Sequence, residues 1–332
     1  MGDGVGAVGG VRGLLAAALL VVPLAACGGG DGDGASSPST TSPPSAPAAA
    51  TTGLTDVPDP GTAGPGPAAG DLAGLAEELA GEQAEPPARD PDEAVLGGDI
   101  SWPQCPRGLG IPQKRTLGMP MPLPEAEYVV IGLTNGPGFH PNPCLAEQVA
   151  WVAERRLLAA AYAVASFPDA ATVARHGTTG PFDGSTPDGA LRNTGYQQAR
   201  FNVASMRSAG LVSPVVWIDV EPVPDFEWSD DPDANAAVVE GVARGYTDAG
   251  LAIGVYSTPY LWEQVVGDLA LGVPEWRAAG HTSREDALER CGEEWVIQGG
   301  PAVLGQWVAD ERDQNVTCPG VASELRRWFH QY

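Results

Sequence analysis

The chain has 332 residues, with 42 acidic against 18 basic side chains and a formal net charge of −24. That balance makes duplex nucleic acid and anionic lipid surfaces poor electrostatic partners, so no nucleic-acid partner is expected. The first third is crowded with glycine, proline, serine and threonine and does not read as globular, so length alone does not set the number of domains.

The opening run "VRGLLAAALLVVPLAACGGG" places Arg12 before an apolar stretch too short to span a membrane as a mature helix, and it ends in small residues. It reads as an export signal over residues 1–26. The four residues "LAAC" at 24–27 resemble the bacterial lipobox, and that resemblance implies a lipid carried on Cys27 at the new amino terminus. Residues 27–94 then form a Gly/Pro/Ser/Thr/Ala-rich linker with too little apolar material to offset the entropy of ordering. Within it "GDLAGLAEELAGEQAE" has helical periodicity, to which no function attaches.

Residues 95–332 are close to the size of an eight-stranded β/α barrel. "VLGGDIS" (95–101) and "YVVIGL" (128–133) read as strands, "CLAEQVAWVAERR" (144–156) as a helix, and "LAAAYAVAS" (158–166) as a third strand or an extension of that helix. A Gly/Pro/Asp loop at 167–187 leads to a helix over 188–209, and "PVVWIDVE" is a fourth strand. "DANAAVVEGVARGYTDAG", "YLWEQVVGDL" and "SREDALERCG" have helical spacing, and alternate with strands at "LAIGVYST", "EWRAAG" and "AVLGQWVAD". Strands separated by helices imply a parallel sheet, and this many repeats predict an α/β fold of TIM-type barrel, regular or irregular, as a single domain behind a disordered tether. An open doubly wound sheet is the alternative, but no G-x-G-x-x-G follows a strand.

Of the five cysteines, one is taken by the anchor and an even set remains for an oxidising compartment. Four allow three pairings; Cys105–Cys144 and Cys291–Cys318 each close a modest loop between neighbouring elements and are expected. No cysteine pair has metal-knuckle spacing and His140, His176, His281 and His330 are isolated, so neither a metal nor another cofactor is expected.

Three acids fall at predicted strand ends, where barrel enzymes build their sites: Asp99, Asp219 and Glu221. Side chains at i and i+2 leave a strand on one face, about 6–7 Å apart along it. Asp219 and Glu221 can therefore act together. Two acids forced together in a partly apolar setting cannot both ionise easily, which provides an acid beside a base. Each could instead serve folding, Glu221 by meeting an arginine and Asp219 by capping a helix. Trp102, Tyr256 and Trp307 sit at predicted strand ends, and Trp217 shares the alternation of Asp219; all are candidates for stacking on sugar rings, with Tyr162 on the third strand.

"GGDISWPQC" followed by "WIDVEP" is similar to the G-x-D-V-S and D-V-E motifs of family 25 glycoside hydrolases, the lysozyme-like muramidases; "IGVYST" resembles their G-x-Y-T strand end and "DQN" (313–315) their closing D-x-N. The form "DISWPQC" resembles a secreted actinobacterial branch. The resemblance covers residues 95–318 and implies a barrel that cleaves peptidoglycan or a related N-acetylated glycan. Glu221 would be general acid, Asp219 its partner, and Asp99 part of the acidic floor. Carboxyl separation would decide between retention and inversion, which the sequence leaves open. The third strand lacks the family's Y-H-F, and Gln306 precedes Trp307 in reversed order. These departures keep a second reading open: a non-catalytic, glycan-binding envelope lipoprotein. On either reading the partners are cell-wall glycan and, through the lipid, the outer face of the cytoplasmic membrane, with the chain a monomer.

Overall fold

The computed structural model describes residues 89–136 and 138–332, all within one compact unit, Pro87–Tyr332. The signal segment, Cys27 and the linker up to residue 88 lie outside the described residues. Residues 89–94 are joined to the barrel: Arg89 pairs with Glu127, and Gly320 N donates to Pro91 O (2.8 Å).

Seven strands run parallel in chain order: β1 (Leu96–Ile100), β2 (Tyr128–Gly132), β3 (Leu158–Val164), β4 (Val215–Asp219), β5 (Ala252–Ser257), β6 (Glu275–His281) and β7 (Ala302–Ala309). An eighth, β8 (Arg312–Thr317), runs antiparallel to both β7 and β1 and closes the ring. The fold is a closed α/β barrel of TIM type, irregular at this seam. A hairpin makes the seam: Asp310 and Glu311 both take positive φ, 53° and 58°, the geometry of a two-residue turn between antiparallel strands. The sequence reading ends its last strand at 310 and assigns none to "RDQNVT". β8 is the strand that reading misses: the segment carries no apolar alternation, and it is pairing with β1 and β7 that turns Asn315 into the barrel.

Helices α1 (Leu145–Glu154), α2 (Ala170–His176), α3 (Pro187–Ala209), α4 (Pro232–Asp248), α5 (Pro259–Val266) and α6 (Arg284–Glu289) lie outside the ring. The loop expected at 167–187 contains α2, nucleated by Asp169, whose side chain accepts from Thr172 N (2.7 Å) and caps the first turn. β3 is a strand throughout, since Arg156 at φ 53° ends the preceding helix. No α-helix links β1 to β2; instead residues 101–127 form a long segment opening with a short 3-10 turn at Trp102–Gln104. Its base is pinned to the start of α1 by the Cys105–Cys144 disulfide.

Two apolar layers result from strand alternation. Outward residues such as Val129, Ile131, Val216 and Ile218 pack under the helices, while Tyr128, Val130, Trp217, Trp276 and Leu304 fill the barrel. The floor is plugged by α7 (Leu325–Trp328) and Phe329, followed by a short strand β9 (His330–Gln331) paired to the start of β3. Tyr128 stacks on Phe329 with centroids 4.4 Å apart, and Cys291–Cys318 ties the plug's approach to the loop after α6. Large interior rings require glycine opposite them. A Cβ on Gly97 would strike the Tyr128 ring and one on Gly254 the Trp217 ring, which explains the glycine in both "GGDIS" and "IGVYS".

Candidate active site

Asp99 projects inward near the end of β1 and is held by two amides: its Oδ1 accepts from Asn315 Nδ2 on β8 (2.7 Å) and Gln306 Nε2 on β7 (3.1 Å). Gln306 Oε1 in turn accepts from the Tyr256 hydroxyl on β5 (2.7 Å), and Asn315 Oδ1 from Trp276 Nε1 on β6 (2.8 Å). The Tyr256 and Trp276 rings pack with centroids 4.5 Å apart, so two hydrogen-bonded arms from Asp99 are closed by aromatic contact and tie five strands together. Satisfied networks of this kind fix side-chain geometry in a low-dielectric interior.

Asp219 ends β4 and Glu221 follows it on the same side. Backbone pairing continues past the strand: Ala165 N donates to Asp219 O (2.9 Å) and Val220 N to Tyr256 O (3.0 Å). Trp228 Nε1 then holds Glu221 O (3.0 Å). The two carboxylates therefore point into the mouth as the i, i+2 spacing implies. Asp219 is 3 % exposed and its Oδ1 is buried without a hydrogen-bond partner, whereas Glu221 is half-buried at the rim.

A fourth carboxylate completes the group. Asp313 opens β8 and, because that strand is reversed, its first residues lie at the same end of the barrel as the last residues of β1. All four acids are shifted upward. Burial, then the charge of Asp313, raises Asp99, against the two amide hydrogen bonds; burial, then Glu221 and Asp99, raises Asp219. Glu221 is pushed up to about 7 by burial and by Asp313, with Lys114 opposing, and Asp313 to about 6 by burial, with His281 opposing. The mouth thus holds protonated carboxyls near neutral pH, the condition for general acid catalysis. Among the described residues no group of His, Cys, Asp and Glu is placed to hold a metal ion.

Asp99, Asp219 and Glu221 meet at this mouth. Tyr256 and Tyr162 border it, both half-buried and both against Trp276 (4.5 Å and 5.7 Å), and Trp102 stands half-buried just past β1. Two aromatic candidates belong elsewhere. Trp217 is fully buried below the acids, between Trp276 and Trp328, so it packs the barrel rather than meeting sugar. Trp307 alternates with inward Gln306 and faces out, 6 % exposed, against Ala287 and Val316. Asp313, Gln306, Asn315 and Trp276 are site residues that the sequence reading does not assign. The D-x-N at 313–315 was the signal available for two of them.

The family described as "Lysozyme-like protein 1" matches residues 185–279, from the lead-in to α3 into β6, and so includes Asp219, Glu221 and Tyr256. Counting factor 45-1 of Dictyostelium discoideum is 39% identical over 77 residues, 23% of this chain and 25% of that protein. A probable GH family 25 lysozyme 4 of the same organism is 36% identical over 66 residues, 19% of this chain and 30% of that one. The chain thus spans between a quarter and a third of the length of these curated relatives. A family GH25 lysozyme structure from Aspergillus fumigatus aligns with a TM-score of 0.45 at 16% identity, covering 71% of this chain and 99% of that one. In its central strands, where two of the four mouth carboxylates lie, this chain resembles the lysozyme-like proteins of glycoside hydrolase family 25.

Proposed function

We propose that this chain is a lysozyme-like glycoside hydrolase that cleaves peptidoglycan or a related N-acetylated glycan, and that it works at the cell envelope, anchored by a lipid on Cys27. The observation that carries the proposal is the pair at the end of β4. Glu221 reaches the rim and holds its proton up to about 7, while buried Asp219 beside it keeps an oxygen without a partner.

In this reading Glu221 donates its proton to the glycosidic oxygen as the bond to the anomeric carbon breaks, the leaving sugar departs as an alcohol, and a water adds to the anomeric carbon, its released proton passing to the carboxylates of the mouth. Asp219 faces the positive charge that develops at the anomeric centre, or accepts a hydrogen bond from the N-acetyl group that shares that face. The ionised form of Asp219 becomes easier to reach at that moment, because the developing cation offsets the cost of burial. Asp99, locked by Gln306 and Asn315, supplies a fixed polar wall from below. Tyr162 and Tyr256 offer ring faces and hydroxyls to the pyranose.

Release of reducing ends from purified cell-wall glycan tests the assignment. Glu221→Gln should lower the rate by about 100- to 10,000-fold without lowering the unfolding midpoint. Equal rates for the two proteins, or glycan binding with no turnover by the unaltered chain, would refute it.

A further inference from the structure

β6 carries one extra residue at its mouth end. Below that point it pairs with β7 in step, Arg277 with Gly305 and Ala278 with Gln306; the register then slips, and His281 rather than Gly280 lies opposite Val308. Arg277 and Ala279 face outward: Arg277 Nη1 donates to Arg290 O (2.9 Å) and Gly292 O (2.8 Å) outside the ring, and Ala279 packs with Trp307. Strict alternation would send His281 outward with them. The bulge, turned at Gly280 with φ 78°, sets it instead on the face that Val308 shares with inward Gln306.

Val308 pairs in turn with Asp313, and Asp313 with Asp99, so His281, Val308, Asp313 and Asp99 form one row across four strands at the mouth. The charge of His281 acts on Asp313 along this row. The other groups that face Asp313 are Asp99 from β1, Glu221 after β4, and the hydroxyls of Tyr162 on β3 and Tyr256 on β5. Arg312 turns away, its Nε donating to Met121 O (2.9 Å) and its Nη1 to Asp310 O (3.0 Å), and Lys114 acts on Glu221. His281 itself is exposed and, among the described residues, takes part in no ion pair. Asp286, in the first turn of α6, is occupied by the hydroxyls of Thr282 and Ser283.

Hydrolysis at this mouth needs a proton held by Glu221 and an ionised carboxylate to take the proton that water releases. Asp313 ionises at about 6 and Glu221 at about 7, so both conditions are met between those values. A neighbouring cation lowers the pH at which Asp313 becomes available, and histidine is the side chain that changes charge in that range. We propose that His281 is a positioning residue for this reaction: the bulge in β6 aims its imidazolium along the row at Asp313, holding that carboxylate charged and setting the acid edge of the range in which the mouth turns over glycan. Only the effect on turnover rests on the glycosidase reading; the pairing of His281 with Asp313 does not.

Carboxyl ¹³C signals of labelled aspartate in the full chain, followed by NMR against pH, read the pairing directly, with the Asp313 signal identified by its loss in Asp313→Asn. His281→Gln should raise the Asp313 midpoint by about half a pH unit, the effect of one charge acting across partly wet protein, whereas His281→Lys should leave it at or below its original place. Coupling is reciprocal, so Asp313→Asn should lower the midpoint of the His281 ring by the same amount. The acid limb of kcat/KM on wall glycan should move up in His281→Gln and return in His281→Lys. An Asp313 midpoint that His281→Gln leaves in place overturns the proposal whether or not the chain turns over glycan. An equal rise in His281→Lys, or a midpoint that moves while the acid limb of an active chain stays, overturns it too. Shifted midpoints in a chain with no turnover defeat the glycosidase reading and leave the pairing standing.

Discussion

Asp99 and Asp313 are register partners across the antiparallel β1–β8 pairing, so carboxylates from the two ends of the domain sequence meet at one end of the barrel. Asp313 raises Asp99 and Glu221 together, while the amides of Gln306 and Asn315 restrain Asp99 from the other side. Asp99 is thereby the rigid, network-bound member of the group, and Glu221 the one at the rim.

The pH dependence follows in sign. Glu221 and Asp313 sit at about 7 and about 6 in the folded chain, and burial and neighbouring carboxylates also raise Asp99 and Asp219 well above ordinary carboxylate values. Each group binds its proton more tightly folded than unfolded. The stability this contributes is fully present below the unfolded values of about 4 and is lost as pH rises through 6 to 7 and beyond. Urea midpoints should therefore be higher at pH 5 than at pH 8. The rate should fall above about 7 as Glu221 loses its proton, and Asp313→Asn should move that alkaline limb to lower pH. A limb that stays put in the variant would break the link between the two groups.

Gly254→Ala tests how tightly the barrel is filled. The new methyl would meet the Trp217 ring, which is fully buried between Trp276 and Trp328 and has no room to retreat. Overpacking of this kind costs about 1–3 kcal/mol, read as a lower midpoint in chemical unfolding. Unchanged stability would mean that Trp217 is not locked in place.

Anchoring makes a separate prediction. "LAAC" at 24–27 motivates it, and metabolic labelling with a fatty acid in a bacterial host should mark the chain, with Cys27→Ser abolishing the label. Labelling that persists in the variant would place the lipid elsewhere or remove the anchor from the account.

Much of the architecture can be read directly from the chain because its signals are local. Alternating β-branched runs, Asp and Ser caps and terminal glycines mark most strands and helices, and the i, i+2 spacing is enough to place Asp219 and Glu221 on one face. Even α2, read as loop, carried its signal in the Asp169 cap.

What the tertiary structure alone decided concerns facing and partnership. "RDQNVT" is polar enough to pass for a loop; it is a strand because Asn315 finds Asp99 and Trp276 inside the ring, partners remote in sequence. Trp307 and Trp217 lie in the right strands, yet one residue of alternation turns Trp307 outward, and depth along β4 seals Trp217 beneath the acids. Lys114 comes near enough for its charge to act on Glu221 because a disulfide and a buried asparagine hold its loop in place. Periodicity is a property of neighbouring residues, whereas a proton held near neutrality at Glu221 depends on burial and on charges that the closed barrel brings together.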